Sequence, residues 1–202
     1  MSEPHREVEL KARVVDLDDA RKRIEQAGAV LVFDGSLHDR IYDFAAGALG
    51  AKGLVLRLRT YRSPHGAVNA QLDWKGPTLK EGGYKIRAEL TTGVTDPDAM
   101  ASILARSGFE VVSEIDREIS QYEISARAGD VQSVVIIRFE QYPRMDTLVE
   151  VEGAPTAIEQ AIDALEIPRD RFSADRLTDF VQAFEARTGQ RGAVSKKALG
   201  VS

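Results

Sequence analysis

A chain of 202 residues that is 43% hydrophobic carries enough apolar mass for one core. Its net charge of -5 argues against a general nucleic-acid binder, whose footprint is basic, and the lack of cysteine excludes disulfides, thiolate metal sites and cysteine nucleophiles. No apolar run reaches membrane-spanning length and MSEPHREVEL lacks the apolar region of a signal peptide, so the expectation is a cytoplasmic protein with neither membrane nor nucleic acid as a partner.

The first element, 5–13, reads HREVELKAR. Strand side chains alternate between faces, so Glu7, Glu9, Lys11 and Arg13 share one face and Val8, Leu10 and Ala12 the other. A helix over 17–27 follows, with Asp16 or Asp18 as its cap and Gly28 as its stop. The stretch 29–44 reads as extended chain with a break at Asp34-Gly35, and 45–53 as a loop.

Charged faces then recur. Arg57, Arg59 and Tyr61 alternate with Leu56, Leu58 and Thr60; a turn around Pro64 and Gly66 follows. Gln71, Asp73 and Lys75 alternate with Leu72 and Trp74, and after a loop at TLKEGG, Lys85, Arg87 and Glu89 alternate with Ile86, Ala88 and Leu90. A second helix runs from the Asp96 cap to Gly108. Extended chain from Phe109 turns at Ala128-Gly129-Asp130 into a strand where Arg138 and Glu140 share a face, and Glu150 and Glu152 share a face in the last strand. Helices over 155–165 and 174–188 close a single domain, 1–189, the second starting behind Ser173; the tail 190–202 is expected to be mobile.

About eight antiparallel strands tend to close into a barrel with room for side chains or a small ligand. Four amphipathic helices must bury their stripes, and covering the apolar strand faces leaves the charged faces inside. The predicted fold class is α+β: a closed eight-stranded antiparallel tunnel with flanking helices. Buried ions cost several kcal/mol each unless well paired, so the lumen must be wet or hold a charged ligand. Arg57, Arg59, Lys75, Lys85, Arg87, Arg117 and Arg138 would converge on an anion, for which arginine forks and lysine ammonium groups are suited. Glu7, Glu9, Glu150 and Glu152 suit a hard divalent ion, Mg²⁺ or Mn²⁺. An anion beside a metal points to a polyphosphate.

The ordered set Glu7-x-Glu9-x-Lys11, His38-Asp39 with Tyr42-Asp43, Leu56-Arg57-Leu58-Arg59, Lys75-Gly76-Pro77, Arg87-x-Glu89, Gly108-Phe109, Arg117 and Glu150-x-Glu152 resembles the CYTH proteins, or triphosphate tunnel metalloenzymes. The resemblance leans to their class IV adenylyl cyclase-like branch. It implies an eight-stranded tunnel holding a triphosphate and a divalent metal. Glu7, Glu9 and Glu152, with Glu150, would serve the metal, and Glu140 stands where the branch usually has an Asp. Lys11, Arg57, Arg59, Lys75, Lys85, Arg87 and Arg117 would hold phosphate. Glu7, Glu9, Lys11 and Glu152 would be the catalytic set. A basic pair usual in the branch falls at Arg117 and Ile119, so one cation is missing; either Arg138 replaces it from the neighbouring strand or Arg138 pairs with an interior carboxylate.

Two reactions fit such a cradle. The ribose 3′-hydroxyl of ATP attacks the α-phosphorus, giving cyclic AMP and pyrophosphate, or water attacks the terminal phosphorus of a triphosphate. The resemblance favours the cyclase; the alternatives are a triphosphatase and a non-catalytic polyphosphate- or nucleotide-binding module. Lys11 is expected to bind phosphate, because nearby carboxylates favour its charged form over a base. Asp39, Tyr42, Tyr61 and Gln71 are available polar or stacking groups, while His5, His38 and His65 lack metal spacing. The family resemblance also suggests a homodimer.

Overall fold

Strand β1 (His5–Arg13) takes the alternation literally: Val8, Leu10 and Ala12 are buried against helices while Glu7, Glu9 and Lys11 are buried on the opposite side. The computed structural model describes residues 3–128 and 131–200, leaving aside the side chains of 127–132. The expected turn at Ala128-Gly129-Asp130 falls in part outside the described residues.

The strands are β2 (Val30–Phe44), β3 (Val55–Arg62), β4 (Val68–Lys75), β5 (Leu79–Glu81), β6 (Tyr84–Val94), β7 (Phe109–Ala128), β8 (Val131–Gln141) and β9 (Leu148–Glu152). Their order is β1-β9-β8-β7-β2-β3-β4-β6, and β6 pairs back onto β1, Glu7 opposite Arg87 and Glu9 opposite Lys85. Eight antiparallel strands therefore form a closed ring with no edge along it. The extra strand β5 hangs on β6, pairing Leu79 with Ile86, so the TLKEGG stretch expected as a loop contains a short hairpin arm. Its turn is made by Gly82 and Gly83, both at positive φ.

Four helices cover the outer surface: α1 (Leu17–Gln26), α2 (Pro97–Arg106), α3 (Pro155–Leu165) and α4 (Leu177–Thr188). Asp16 caps α1 by accepting from the Asp19 amide, and Asp96 caps α2 by accepting from Asp98 and Ala99. Helix α3 lays Ile158, Ile162 and Leu165 on β1, β7, β8 and β9, where each buried side chain contributes about 1.5–3 kcal/mol. Leu104 of α2 packs on Tyr42 and Leu58. Helix α4 starts three residues later than expected, because Ser173 is engaged in a backbone bridge with Lys11 and the Arg176 amide is held by Asp179.

Two further expectations change. The tail beyond Gly189 is tied down: Ala193 bridges Arg144, and the Asp116 amide donates to the Val194 carbonyl while the Asp116 carboxylate accepts from the Lys196 amide. The chain does not break at Asp34-Gly35. It stays extended, and Gly35, at φ +152°, lies so close to β3 that a Cβ there would stand 2.3 Å from the Arg62 carbonyl oxygen. Backbone cannot yield as a flexible side chain can, so Gly35→Ala is expected to destabilise the barrel by about 1–3 kcal/mol in chemical denaturation.

Candidate active site

The inward faces of the ring enclose a charged cavity of about 360 Å³. Cations enter it from six strands: Lys11 on β1, Arg57 and Arg59 on β3, Lys75 on β4, Lys85 and Arg87 on β6, Arg117 on β7 and Arg138 on β8. Glu7, Glu9, Asp39, Glu89, Glu150 and Glu152 line the same space. The structure thus brings together every cation singled out in the sequence and four of the five expected metal carboxylates.

The ions are arranged as pairs. Lys75 donates to Glu7 at 2.6 Å and lies 3.1 Å from Glu89; Lys85 donates to Glu9 at 2.6 Å. Arg57 contacts Asp73 at 2.7 Å. Lys11 sits between Glu150 and Glu140. Burial works to lower the Lys11 pKa, yet Glu140, Glu150 and Glu9 raise it well above the ordinary value, so Lys11 is a fixed cation. Burial likewise opposes the Glu150 charge, but Lys11 and Arg138 hold its carboxyl well below the usual range.

Asp39 organises the opposite wall, a role the sequence reading did not assign. It accepts two hydrogen bonds from Arg59 at 2.8 and 2.9 Å and one from Arg117 at 3.1 Å, with Arg57 at 3.6 Å. Burial pushes its pKa up, but these three guanidinium groups hold it far below the ordinary carboxylate value. The available signal was register: Asp39 stands directly opposite Arg59 across β2 and β3. Asp73 and Glu89 are also buried partners of the cations, and Thr91 donates to Asp73 at 2.9 Å.

Two expected roles are revised. Glu140 does not line the cavity; it is 1% exposed, accepts from Lys11 at 3.2 Å and Tyr142 at 2.7 Å, and lies 3.1 Å from Arg117. Enclosed this way, it holds two cations in place and is not positioned to ligate a metal. Arg87 turns to backbone: it donates to the Gly76 carbonyl at 2.6 and 2.8 Å and to Gly53 at 3.2 Å, clamping two loops at one end of the barrel. Asp43 orders the first of these loops by accepting from the Leu49 and Gly50 amides. Arg138 lines the cavity while donating to Glu150 at 2.6 Å and to Gln121 at 3.0 Å, so the interior pairing is present and the cation is also on the tunnel wall.

Glu152 is different from its neighbours. It stands opposite Glu9 across β1 and β9, beside Glu150 and near Glu7, and among the described residues it has no ion-pair or hydrogen-bond partner. Burial, then Glu150, Glu7 and Glu9, push its carboxyl up to about 7 against the partial relief of Arg138. A carboxylate crowded by three others and lacking a cation marks where a hard divalent ion fits by chemistry. Among the described residues no three acidic or imidazole side chains already stand as a metal cage, because Glu7 and Glu9 lean to Lys75 and Lys85.

The CYTH domain model matches residues 5–188. The chain belongs to the CYTH family. Among curated proteins no match was found. Among solved structures the CYTH chain is similar to a candidate adenylate cyclase from Vibrio parahaemolyticus, at 20% identity and TM-score 0.69 over 89% of this chain and 99% of the other. It is similar to a Pyrococcus horikoshii protein at 20% identity and TM-score 0.67, covering 88% and 98% of the two chains. It is also similar to a candidate adenylyl cyclase from Hippeastrum, described with a dominant triphosphatase activity, at 16% identity and TM-score 0.60 over 91% and 96%. At these identities the likeness is one of fold, and the tunnel is the CYTH tunnel fold.

The raised Glu152 carboxyl has a consequence for the metal-free protein. Between its unfolded value of 4.5 and its folded value of about 7, the native state holds a proton that the unfolded chain has lost. Stability therefore falls as pH rises through that window. Glu152→Gln is expected to remove the fall and to stabilise the metal-free protein at pH 8 by roughly 1–3 kcal/mol, read by urea denaturation at pH 5 and pH 8 in chelator.

Proposed function

We propose that this CYTH protein is a divalent-metal-dependent enzyme that binds a triphosphate in its tunnel and hydrolyses it. The observation that carries the reading is a carboxylate cluster set among the cations of the tunnel wall. Glu7, Glu9 and Glu152 lie where β1 meets β6 and β9, Glu152 without an ion-pair partner among the described residues, and cations from six strands share the lining. A pure anion-binding module would gain nothing from the carboxylate patch. Glu7, Glu9 and Glu152, with Glu150 beside them, would hold Mg²⁺ or Mn²⁺, which supplies charge neutralisation and a more acidic attacking oxygen.

The protein's own part is positioning. Arg59, Arg117 and Arg57 are held as one planar-fork array by Asp39, and Lys11 and Arg138 by Glu150, so their directions are set before substrate arrives. Lys75 and Lys85 are each tied to a carboxylate of the proposed metal patch. With phosphate and metal both bound, Lys75 and Lys85 would pair with phosphate and Glu7 and Glu9 would hold the metal, so that no charge would be left unpaired. Lys11, fixed as a cation, binds phosphate and does not take the proton of the attacking water.

Hydrolysis is favoured over cyclisation by the size and lining of the cavity. At about 360 Å³ it is near the small end for ligand sites. Its wall is mostly charged and polar, with Ile41, Val55, Ile115, Ile136 and Leu177 as aliphatic members and Tyr61 and Tyr142 as aromatic ones, and the Tyr142 hydroxyl is already given to Glu140. That suits the phosphate chain with the organic group left outside. Cyclisation of ATP is the second reading, favoured by the fold shared with candidate adenylate cyclases. Such substrates are cytoplasmic, which is where this reading places the protein.

Incubation with tripolyphosphate, ATP and thiamine triphosphate in Mg²⁺ or Mn²⁺ should release orthophosphate and should cease in chelator. Cyclic AMP as the main product would establish the second reading, and binding without turnover would reduce the protein to a module. Lys11→Ala should raise KM and lower kcat/KM by about 100-fold while the pH–rate profile keeps its shape. Loss of the basic limb would instead assign Lys11 the base.

A further inference from the structure

Three strands run on past one end of the barrel. β3 begins pairing with β2 only at Ser36, and β9 begins pairing with β8 only at Ile136. β2 nevertheless continues back to Val30, β7 on to Ala128 and β8 back to Val131. One face of this extension is buried: Tyr122, Ala126 and Val135 belong to the core under the helices. The other face is the same surface as the tunnel's inner wall, because Gln121, Arg138 and Ile136 line the cavity and their strands carry straight on.

Among the described residues that open face carries Val30, Phe33, Ile136 and Val134 interleaved with Gln121, Glu123 and Ser125. In register, Phe33 stands by Gln121, Val30 by Glu123, Glu123 by Ile136 and Ser125 by Val134. Val30 is 63% exposed and Val134 53%. The irregularity at Val32 sets this arrangement: it leaves Leu31 opposite the buried-face Tyr122 and turns Val30 to the open side with Phe33. Phe33 meets Tyr61 of the tunnel wall edge-to-face at 5.3 Å, which joins the apolar surface to the cationic one.

We propose that this face binds the organic group carried by the triphosphate, and that the group is a flat, mostly apolar ring system bearing a hydrogen-bond donor. The inference rests on the tunnel holding the triphosphate. Arg138 would sit with phosphate, and Ile136 and Val134 follow it about 7 and 13 Å along β8, the span over which a nucleoside-sized group trails its phosphates. Val30, Phe33, Ile136 and Val134 supply the platform. The Glu123 carboxylate is exposed and has no partner among the described residues, so it can accept from a ring amino group. The Gln121 oxygen is held by Arg138, which leaves its amide N–H groups to donate. The substrate class is therefore an organic triphosphate, with inorganic tripolyphosphate a poorer substrate.

Steady-state kcat/KM for ATP, thiamine triphosphate and tripolyphosphate separates the parts. Wild-type protein should prefer at least one organic triphosphate, and Val134→Asp and Val30→Asp should each lower the ratio of organic to inorganic kcat/KM at least about fivefold. Val112→Asp, a 56%-exposed site towards the far end of β7, should leave the ratio as it is. Both positions are exposed, so the fold should tolerate the charge, and circular dichroism checks this. A ratio within twofold of wild type in both variants, or turnover of tripolyphosphate alone, overturns the proposal. Failure to bind or cleave any of the three overturns the tunnel reading beneath it.

Discussion

The constraint on which this protein depends is that its barrel is built inside out. Helices take the apolar faces of the strands, so the polar faces have nowhere to go but inward. Two unit charges 4 Å apart in a partly shielded interior interact by about 4 kcal/mol, and an unmatched ion there costs several. The interior satisfies this by matching. Eight cations, Lys11, Arg57, Arg59, Lys75, Lys85, Arg87, Arg117 and Arg138, share it with eight carboxylates: six that line the cavity, and Asp73 and Glu140, each 1% exposed or less. Arg87 is set on backbone carbonyls and Glu152 is left over, so the two exceptions fall on opposite charges.

Matching has a mechanical consequence. A wall of paired ions is stiff where a carboxylate serves several arginines, as Asp39 does, and exchangeable where a lysine meets a glutamate. Asp39 and Glu140 therefore act as fixed supports: each is 1% exposed and bound by two or more cations. Glu7 and Glu9 are each held by one flexible lysine ammonium. The ion pairs thus divide into a rigid side and a yielding side, and on the proposed reading the yielding side is the one that would take metal and phosphate together.

This also explains what was legible in the sequence. Arg57-x-Arg59, Glu7-x-Glu9-x-Lys11 and Glu150-x-Glu152 announce a charged strand face because period two is local, and closure follows from having helices for the other faces. Depth along the tunnel is not local. Glu140 and Arg138 are two residues apart on one face, but Tyr142, Arg117 and Lys11 enclose the first, and the second reaches the cavity. Likewise Arg87 alternates like a phosphate ligand, while the carbonyls of Gly53 and Gly76 that hold it come from loops that pattern cannot place. β5 is not visible in the pattern because Leu79–Glu81 is three exposed residues held by β6 and by the distant Arg6 and Asp175, and the tail because its anchors, Arg144 and Asp116, lie far away in the chain.

On the proposed reading, the inside-out plan further divides recognition between two surfaces of one sheet. Within the ring most inward positions are charged or polar, with Ile41, Val55 and Ile115 as apolar members of the lining; beyond the ring, β2, β7 and β8 lose their facing wall, and Val30 and Val134 stand exposed on it. The change occurs within two residues on β8, from Arg138 to Ile136, and on β2 at the irregularity that turns Val30 inward. A ring system could not lie among the paired ions without stranding some of them, and a phosphate could not rest on Val134 without losing its hydration to no partner. On the proposed reading, the boundary between charge and apolar surface would separate the two ends of one substrate, and it is set by where the neighbouring strands stop.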